Sequence, residues 1–280
     1  MTPRPLTYGS LHDLVTTGEE IQHLQTQPNG YLLWSRLWCG LSDNGTVSDD
    51  TARQLKHLEA VAAAAHAMPP KLLESIAARR RAAAAALVAR DPELVSVEVA
   101  LVPEWRVVVG HGDNTVHETG LTWSPTYGVP MWPGSGLKGA AAAQVPRRWP
   151  DRPGLVEQLF GGPRPGKAGN AGQGAVTVLD ALPAAPPHVV VDVLTPHGGG
   201  YYREVNSGAK VVTPPAEYHN PVPVHFLAVE RTPFHTVLIG RTTAVQATVA
   251  LLRDAAEDWG IGAKTAAGYG YCTVTVVEPS

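Results

Sequence analysis

Cysteine is almost absent from this sequence of 280 residues, which contains only Cys39 and Cys272. The two positions are far apart, and neither has a second cysteine close to it along the chain. Disulfide scaffolds and zinc sites built on cysteine pairs need several cysteines at short spacings. The sequence therefore excludes both classes, and we expect two reduced thiols in or near the core.

Long apolar runs are missing as well. No stretch approaches the ~20 consecutive apolar residues that a membrane-spanning helix needs. The first residues, MTPRPLTYGSLHDLV, lack the basic start and the apolar stretch that are typical of a secretory signal. We therefore expect a cytoplasmic protein with no membrane partner.

The chain also has no excess of positive charge. It carries 22 Lys and Arg residues against 25 Asp and Glu residues, which gives a formal net charge of −3. Proteins that find nucleic acid by bulk electrostatics are usually basic. Any contact of this chain with RNA or DNA must therefore depend on local patches or on partner chains.

Helix-forming residues dominate the first third of the chain, and residues 1–92 are predicted to be a helical N-terminal region. The stretch TARQLKHLEAVAAAAHAMPPKLLESIAARRRAAAAALVAR is rich in Ala, Leu, Arg and Glu, which favour helices. Because proline breaks or kinks a helix at an interior position, MPP is predicted to divide this stretch into two helices. The arginine run at 79–81 fits either a solvated helix face or a nucleic-acid contact.

Residues 93–280 differ in composition from the N-terminal region. They contain alternating segments rich in β-branched residues, which predict strands. One helix is predicted where WPGSGLKGAAAAQV leads into alanines, and a second over TTAVQATVALLRDAAEDWG. The order is strand, helix, strands, helix, strand, which is the split β-α-β arrangement of a ferredoxin-like (RRM-like) domain. The predicted fold class is therefore α+β, with long loop insertions at 159–174 and 195–223 and a helical N-terminal extension.

Four glycines frame a lysine and a threonine near the C-terminus, in EDWGIGAKTAAGYGYCTVTV. A nucleotide-binding P-loop needs a glycine directly before the lysine, a strand before the loop and a helix after it, and none of these is present. Glycines do leave backbone N–H groups open to a polyanion. The predicted RNA-binding residues of this loop are Gly260, Gly262, Lys264, Thr265, Gly268, Tyr269 and Gly270. Tyr269 either stacks on a base or packs inward.

A second candidate phosphate site opens the alanine-rich helix. The N-terminus of a helix has free N–H groups and the positive end of a dipole, so it attracts phosphate. The residues concerned are Gly134, Ser135, Gly136 and Lys138. The alternative is an ordinary helix start that Ser135 caps.

Titratable residues cluster in GHGDNTVHETG and beside a later glycine triplet. They are His111, Asp113, His117, Glu118 and His197. Histidine and carboxylate side chains are suited to acid–base catalysis or to metal binding. The sequence contains neither the H-E-x-x-H of zinc proteases nor the G-x-S-x-G of serine hydrolases, so nothing fixes a geometry for catalysis.

The pattern Gly260-Ile261-Gly262, five residues, Gly268-Tyr269-Gly270 resembles the G-h-G-x5-G-h-G loop of the RAMP superfamily, the RNA-binding subunits of CRISPR effector complexes. The segment from Trp132 to Gly139 resembles a second signature of that family, except that Gly136 stands where a side chain is more usual. VTVLDALP, VDVLTPHGGGYY and PVPVHFLAV resemble further blocks of one subunit of the type III-B (Cmr) complex.

The resemblance implies a function and a set of partners. Subunits of this kind contact the guide (crRNA) near its 3′ end, target RNA, neighbouring RAMP subunits and small helical subunits. Cutting of target RNA in the family belongs to another, repeated subunit, so we expect no catalytic residue, no metal and no cofactor here. The competing hypothesis is a metal-independent RAMP endoribonuclease that processes guides with His111, His117 and His197.

Physical chemistry agrees with a guide-binding role, because glycine loops and helix N-termini contact phosphates without reading bases. We expect the sheet to bring the two glycine-rich bends together around one RNA strand. The two long insertions, 159–174 and 195–223, are predicted to reach over RNA or a neighbouring subunit. The contact candidates are Tyr201, Tyr202 and Arg203, in the second insertion.

Overall fold

A computed structural model gives the structure of this chain. It describes residues 29–35, 51–113, 115, 117, 119–162, 172–195, 199–208, 210, 213–214 and 223–278. Its helices are α1 (Gly30–Ser35), α2 (Thr51–His66), α3 (Pro70–Val88), α4 (Gly134–Arg148), α5 (Leu155–Phe160), α6 (Gly199–Ser207) and α7 (Thr242–Asp254). Its strands are β1 (Leu94–Pro103), β2 (Arg106–Val107), β3 (Trp123–Ser124), β4 (Val129–Pro130), β5 (Val176–Val178), β6 (Leu182–Pro183), β7 (Val189–Leu194), β8 (Val224–Glu230), β9 (Phe234–Arg241) and β10 (Cys272–Val276).

Proline divides the N-terminal helices where the sequence predicts it. Helix α2 ends at His66, and α3 begins at Pro70, where the missing N–H of proline costs nothing because the first turn has no partner for it. None of the helices in the described ranges is long and apolar enough to cross a membrane.

The main sheet has five strands, in the order β10-β1-β9-β5, with β6 also paired to β9. All neighbouring strands are antiparallel, and the central pair β1–β9 runs in register from Leu94–Arg241 to Leu101–Phe234. Helices α4 and α7 pack against each other, and α7 covers one face of the sheet. The structure is therefore a mixed α+β fold with antiparallel sheets, as predicted.

Helix α3 covers the opposite face of the main sheet. Because side chains alternate along a strand, Leu238 faces the main core while Val237 and Ile239 face Ala84 of α3. The same alternation buries Cys272 and Val274 of β10, whereas Val276, which follows at the same spacing and ends the strand, is exposed by 49%. Cys272 therefore lies in the core with a free thiol, whereas Cys39 lies outside the described residues.

A second sheet, β2-β8-β7, does not follow from the sequence pattern. Helix α2 packs on one of its faces. On the other face Phe226 and Ala228 of β8 form a small core with Val108 and Tyr269. This face supports the glycine-rich segment near the C-terminus.

The second predicted helix differs from its prediction at both ends. Thr242 and Thr243 lie inside the first turn of α7, and neither side chain caps it, because the cap position is Arg241. After Asp254 the helix widens into a π-helical turn, Ala255–Trp259, which ends at Gly260. A π turn takes more residues than an α turn, so Trp259 rotates away from the buried face and is exposed by 51%.

Candidate nucleic-acid interface

The glycine loop, residues 260–270, lies along β2 and is closed by backbone hydrogen bonds. The N–H groups of Ala263 and Gly270 donate to the carbonyl oxygens of Val108 and Arg106, both at 2.8 Å. The N–H of Ile261 donates to the carbonyl of Gly270, also at 2.8 Å. Some of the backbone N–H groups that were predicted to bind phosphate therefore form hydrogen bonds within the protein, and these bonds hold the loop in place.

Three of the four glycines are required by close approach of the chain to itself, and at Gly260 a Cβ would lie 2.9 Å from the carbonyl oxygen of Tyr269. Gly262 has φ +114°, and a Cβ there would lie 2.5 Å from the carbonyl oxygen of Val108. Gly270 has φ +80°, and a Cβ there would lie 2.3 Å from the carbonyl oxygen of Ile261. Gly268, in contrast, is exposed, and a Cβ there would meet nothing within 4 Å.

Tyr269 packs inward, which is one of its two predicted orientations. Its side chain is only 6% exposed, and its hydroxyl donates a 2.5 Å hydrogen bond to Asp192 on β7. Arg106 donates to the same carboxylate at 2.6 Å and to Glu230 at 3.0 Å. Burial and the Asp192 carboxylate raise the pKa of Tyr269 to about 12. Stacking of Tyr269 on a base is therefore not expected.

Lys264 occupies the tip of the loop in a left-handed conformation, with φ +60°. Its ammonium lies 5.4 Å from the ring centre of Phe226 and 5.9 Å from that of Tyr269. Among the residues that the structure describes, no carboxylate forms an ion pair with Lys264. The loop therefore carries an uncompensated cation, which favours a polyanion.

The start of α4 does not present all of its N–H groups to solvent. The N–H of Gly134 donates a 2.7 Å hydrogen bond to the carboxylate of Asp180. Gly134 is buried against the carbonyl of Val178, whereas Ser135 and Gly136 are exposed and Lys138 is half-buried. A side chain of the protein thus occupies the innermost position of the predicted phosphate site, because a carboxylate suits a helix N-terminus.

The two predicted bends lie at opposite edges of the main sheet. The start of α4 lies against the end of β5, at one edge of the main sheet, and the glycine loop leads into β10 at the other edge. Four adjacent strands separate these edges, which is about 15 Å at the usual strand spacing. The expectation that the sheet brings the bends together around one RNA strand stays a prediction, and an RNA strand that contacts both must extend across that width.

The arginines of the run at 79–81 face the protein rather than solvent alone. Arg80 donates to the carbonyl of Asp180, and Arg81 forms a 3.3 Å ion pair with Glu98 on β1. Arg79 donates to the hydroxyl of Tyr127 at 3.4 Å. The run therefore fastens α3 to the sheet, a third outcome that the sequence did not indicate.

The histidines of the titratable cluster have separate surroundings. The ring of His117 stacks on Trp34 at 3.7 Å and bonds its carbonyl at 2.8 Å, and burial lowers the pKa of His117 to about 4. His111 instead faces Phe226, with ring centres 5.4 Å apart. Burial and the charge of Lys264 lower the pKa of His111.

Of the other members of that cluster, Asp113 is the one that the structure describes. Asp113 accepts a 3.3 Å hydrogen bond from the hydroxyl of Thr122. Glu118 and His197 lie outside the described residues. Within the part of the chain that is described, no group of three His, Cys, Asp or Glu residues has the arrangement of a metal site.

The predicted contact residues of the long insertion lie on a helix rather than in a loop. Helix α6 has no buried residue, and its Tyr202 is exposed by 57%. Tyr201 is half-buried with its ring 5.3 Å from that of Tyr202, and Arg203 is exposed. This helix offers two aromatic rings and a cation to a partner.

Comparison with known proteins places the fold among CRISPR subunits. The chain is 29% identical to the CRISPR system Cmr subunit Cmr6 of Pyrococcus furiosus, over 59% of this chain and 64% of that protein. It thus spans less than two thirds of that relative. A crystal structure of Cmr6 from the same organism aligns with 64% of this chain and 98% of its own at 24% identity, with a TM-score of 0.37.

A closer match in shape comes from an assembly. One chain in a cryo-EM structure of the type III-B Cmr-beta bound to cognate target RNA aligns with a TM-score of 0.58, over 96% of this chain and 98% of that one. The two are 18% identical, so this likeness is one of fold. The model of the RAMP superfamily matches residues 106–273, more than half of the sequence. The chain therefore belongs to the RAMP superfamily.

Proposed function

We propose that this chain is a non-catalytic, RNA-binding subunit of a type III-B CRISPR interference complex and acts in the cytoplasm. The observation that carries the proposal is Lys264, an uncompensated cation at the tip of a glycine loop that rests on a buried aromatic core. Such a loop can contact phosphates of a guide without reading its bases. The guide supplies its own sequence recognition through base pairing.

The fold supports the proposal at a finer level. The order of the main sheet supports a ferredoxin-like (RRM-like) domain, because its fourth strand lies beside the first and its third beside the second. Its four strands are β1, β5, β9 and β10, and its helices are α4 and α7. We assign residues 93–280 to this RAMP domain and residues 1–92 to a helical N-terminal extension.

The partners follow from the same family likeness. We propose that the chain contacts crRNA near its 3′ end, target RNA, neighbouring RAMP subunits and a small helical subunit. The half-buried ring of Tyr201, the exposed ring of Tyr202 and the charge of Arg203 are candidates for these contacts. The mild net negative charge fits a subunit that holds RNA only within an assembly.

The decisive experiment replaces the lysine of each predicted phosphate site, Lys138 and Lys264, in the assembled complex. The double variant Lys138→Ala, Lys264→Ala should retain less guide RNA than the parent, because each charge-assisted contact is worth roughly 1.5–3 kcal/mol. Lys71→Ala, an exposed lysine at the start of α3, is the matched control. Guide occupancy that does not change in the double variant would exclude these loops as the RNA site.

The endoribonuclease hypothesis has a separate test. His117 is buried against Trp34, which leaves His111 as the described histidine beside the loop. We expect the purified protein to leave labelled repeat RNA intact. Site-specific cleavage that His111→Ala abolishes would contradict a non-catalytic role.

Mass spectrometry of proteins that co-purify with the tagged chain from its native host would identify the neighbouring subunits.

A further inference from the structure

Trp105 is an exposed aromatic side chain beside the glycine loop. It lies between β1 and β2, and 39% of its surface is exposed. The neighbouring backbone is fixed on both sides, because Glu104 N–H donates to the carbonyl of Tyr271 at 3.0 Å and Arg231 N–H donates to that of Trp105 at 2.8 Å. The indole is therefore presented from a rigid position.

The inner side of the indole rests on the network that supports the loop. Its ring centre lies 5.1 Å from that of Tyr269, and the guanidinium of Arg106 lies 4.8 Å from the ring of Trp105. Two carboxylates, on Asp192 and Glu230, hold Arg106 in place. Little side-chain freedom remains to be lost when a ligand covers the exposed part of the ring.

Lys264 and Trp105 both border the ring of Tyr269. The lysine ammonium lies 5.9 Å from that ring, and it lacks an ion pair within the described ranges, whereas the charge of Arg106 is balanced by two carboxylates. An aromatic surface beside a free cation is the combination that binds single-stranded nucleic acid, in which bases stack and phosphates meet positive charge.

We propose that Trp105 stacks on an unpaired base of the RNA strand whose phosphate contacts Lys264. This inference rests on the RNA-binding function proposed above and adds a base-stacking residue to it. Stacking on an indole tolerates every base, so the contact suits a guide of variable sequence. A protein side chain is the other occupant of an exposed indole, but the uncompensated lysine favours the polyanion.

The test compares Trp105→Ala with Trp105→Phe in a complex assembled from the full chain and a guide RNA. Trp105→Ala should weaken guide retention about 5- to 150-fold, which corresponds to the stacking of one base. Trp105→Phe keeps an aromatic ring and should retain most of the affinity. Leu87→Ala, at a residue of α3 that is exposed by 50%, is the control for loss of surface apolar area.

A photocrosslink provides a direct readout of the contact. A guide that carries 5-iodouridine near its 3′ end should form an adduct on Trp105, found by mass spectrometry. Unchanged retention in Trp105→Ala together with weakened retention in Lys264→Ala overturns the inference and leaves the proposed function intact. Unchanged retention in both variants overturns the proposed function as well. Loss of the subunit from the complex with normal guide retention assigns Trp105 to a protein neighbour, and also overturns the inference.

Discussion

The hydroxyl of Tyr269 donates a 2.5 Å hydrogen bond to the carboxylate of Asp192, a residue 77 positions earlier in the chain. Burial alone would raise the pKa of Asp192, but the hydrogen bonds from Tyr269 and Arg106 outweigh it and lower the pKa. This contact ties the glycine loop to the second sheet. The position of Lys264 therefore depends on a bond that the glycines themselves do not make.

Replacing Tyr269 by Phe should destabilise the protein while preserving the ring. The variant removes a hydrogen bond to a charged group, so the free energy of unfolding should fall by about 1.5–3 kcal/mol, and the pKa of Asp192 should rise. Urea unfolding of the full chain measures the first effect. Tyr202→Phe, at a ring that is 57% exposed, is the control. Equal unfolding free energies for the parent and Tyr269→Phe would show that the bond contributes nothing.

Replacing Gly270 by Ala should lower the free energy of unfolding more than a glycine-to-alanine change at any other position of the loop. The backbone is left-handed there, at φ +80°, and the new Cβ would lie 2.3 Å from the carbonyl oxygen of Ile261. A left-handed non-glycine residue costs roughly 1–3 kcal/mol before the clash is counted. Thermal and urea unfolding measure the loss.

Two further glycines provide matched controls for this change. Gly268→Ala adds left-handed strain at φ +89° without a clash, so its cost should be smaller than that of Gly270→Ala. Gly136→Ala lies inside α4 in open space and should stabilise by about 0.5–1 kcal/mol. Equal costs at Gly268 and Gly270 would contradict the close approach of Gly270 to Ile261.

The pKa of His111 should respond to Lys264. Burial and the lysine charge both lower the pKa of this histidine, so removing the charge in Lys264→Met should raise the pKa. It should stay below the ordinary value, because burial remains. NMR titration of the imidazole measures the change, and Lys138→Met is the control that should leave it unaltered. If the pKa falls or does not move in Lys264→Met, the two side chains do not interact as described.

Acid should weaken the attachment of the N-terminal helices. His57 and His117 both have a pKa lowered to about 4, mainly by burial, against an ordinary value of 6.5. Between those values the unfolded chain binds protons that the folded chain does not, so stability is lost as the pH falls from 6.5 to 4. The loss is on the order of 3 kcal/mol for each ring at most.

Unfolding measured at pH 7 and at pH 4.5 tests this dependence. His117→Phe keeps a ring against Trp34 but cannot take up a proton, so its stability should change less with pH than that of the parent. A parent protein whose unfolding free energy is the same at both values would contradict the buried, neutral state of the two histidines.

Much of the fold could be predicted from local sequence. Alternating β-branched residues predicted strands where β1, β8 and β9 lie, and MPP predicted the break between α2 and α3. The π turn at Ala255–Trp259 could not be predicted, because the apolar residues keep their helical spacing up to Ala256. Only the number of residues in the last turn differs from that of an α-helix. The second sheet was missed since its pairing joins segments that lie far apart in the chain.

The candidate site was predicted less completely than the fold. The glycine spacing indicated a special loop, but the partners that shape it, Asp192 and Asp180, belong to strands and connections with no motif of their own. Trp105 was missed for a similar reason, because one tryptophan in EWRVVVG is typical of a core strand. The exposed indole became a candidate only through its contact with Tyr269.

The cover that α3 provides for Val237 and Ile239 has a practical consequence for anyone who divides this chain. A fragment that starts at residue 93 would leave two large aliphatic side chains of a central strand bare, and Glu98 would lose Arg81. Bare strands of this kind recruit other molecules and precipitate. A recombinant C-terminal fragment will therefore remain in solution only if it includes α3.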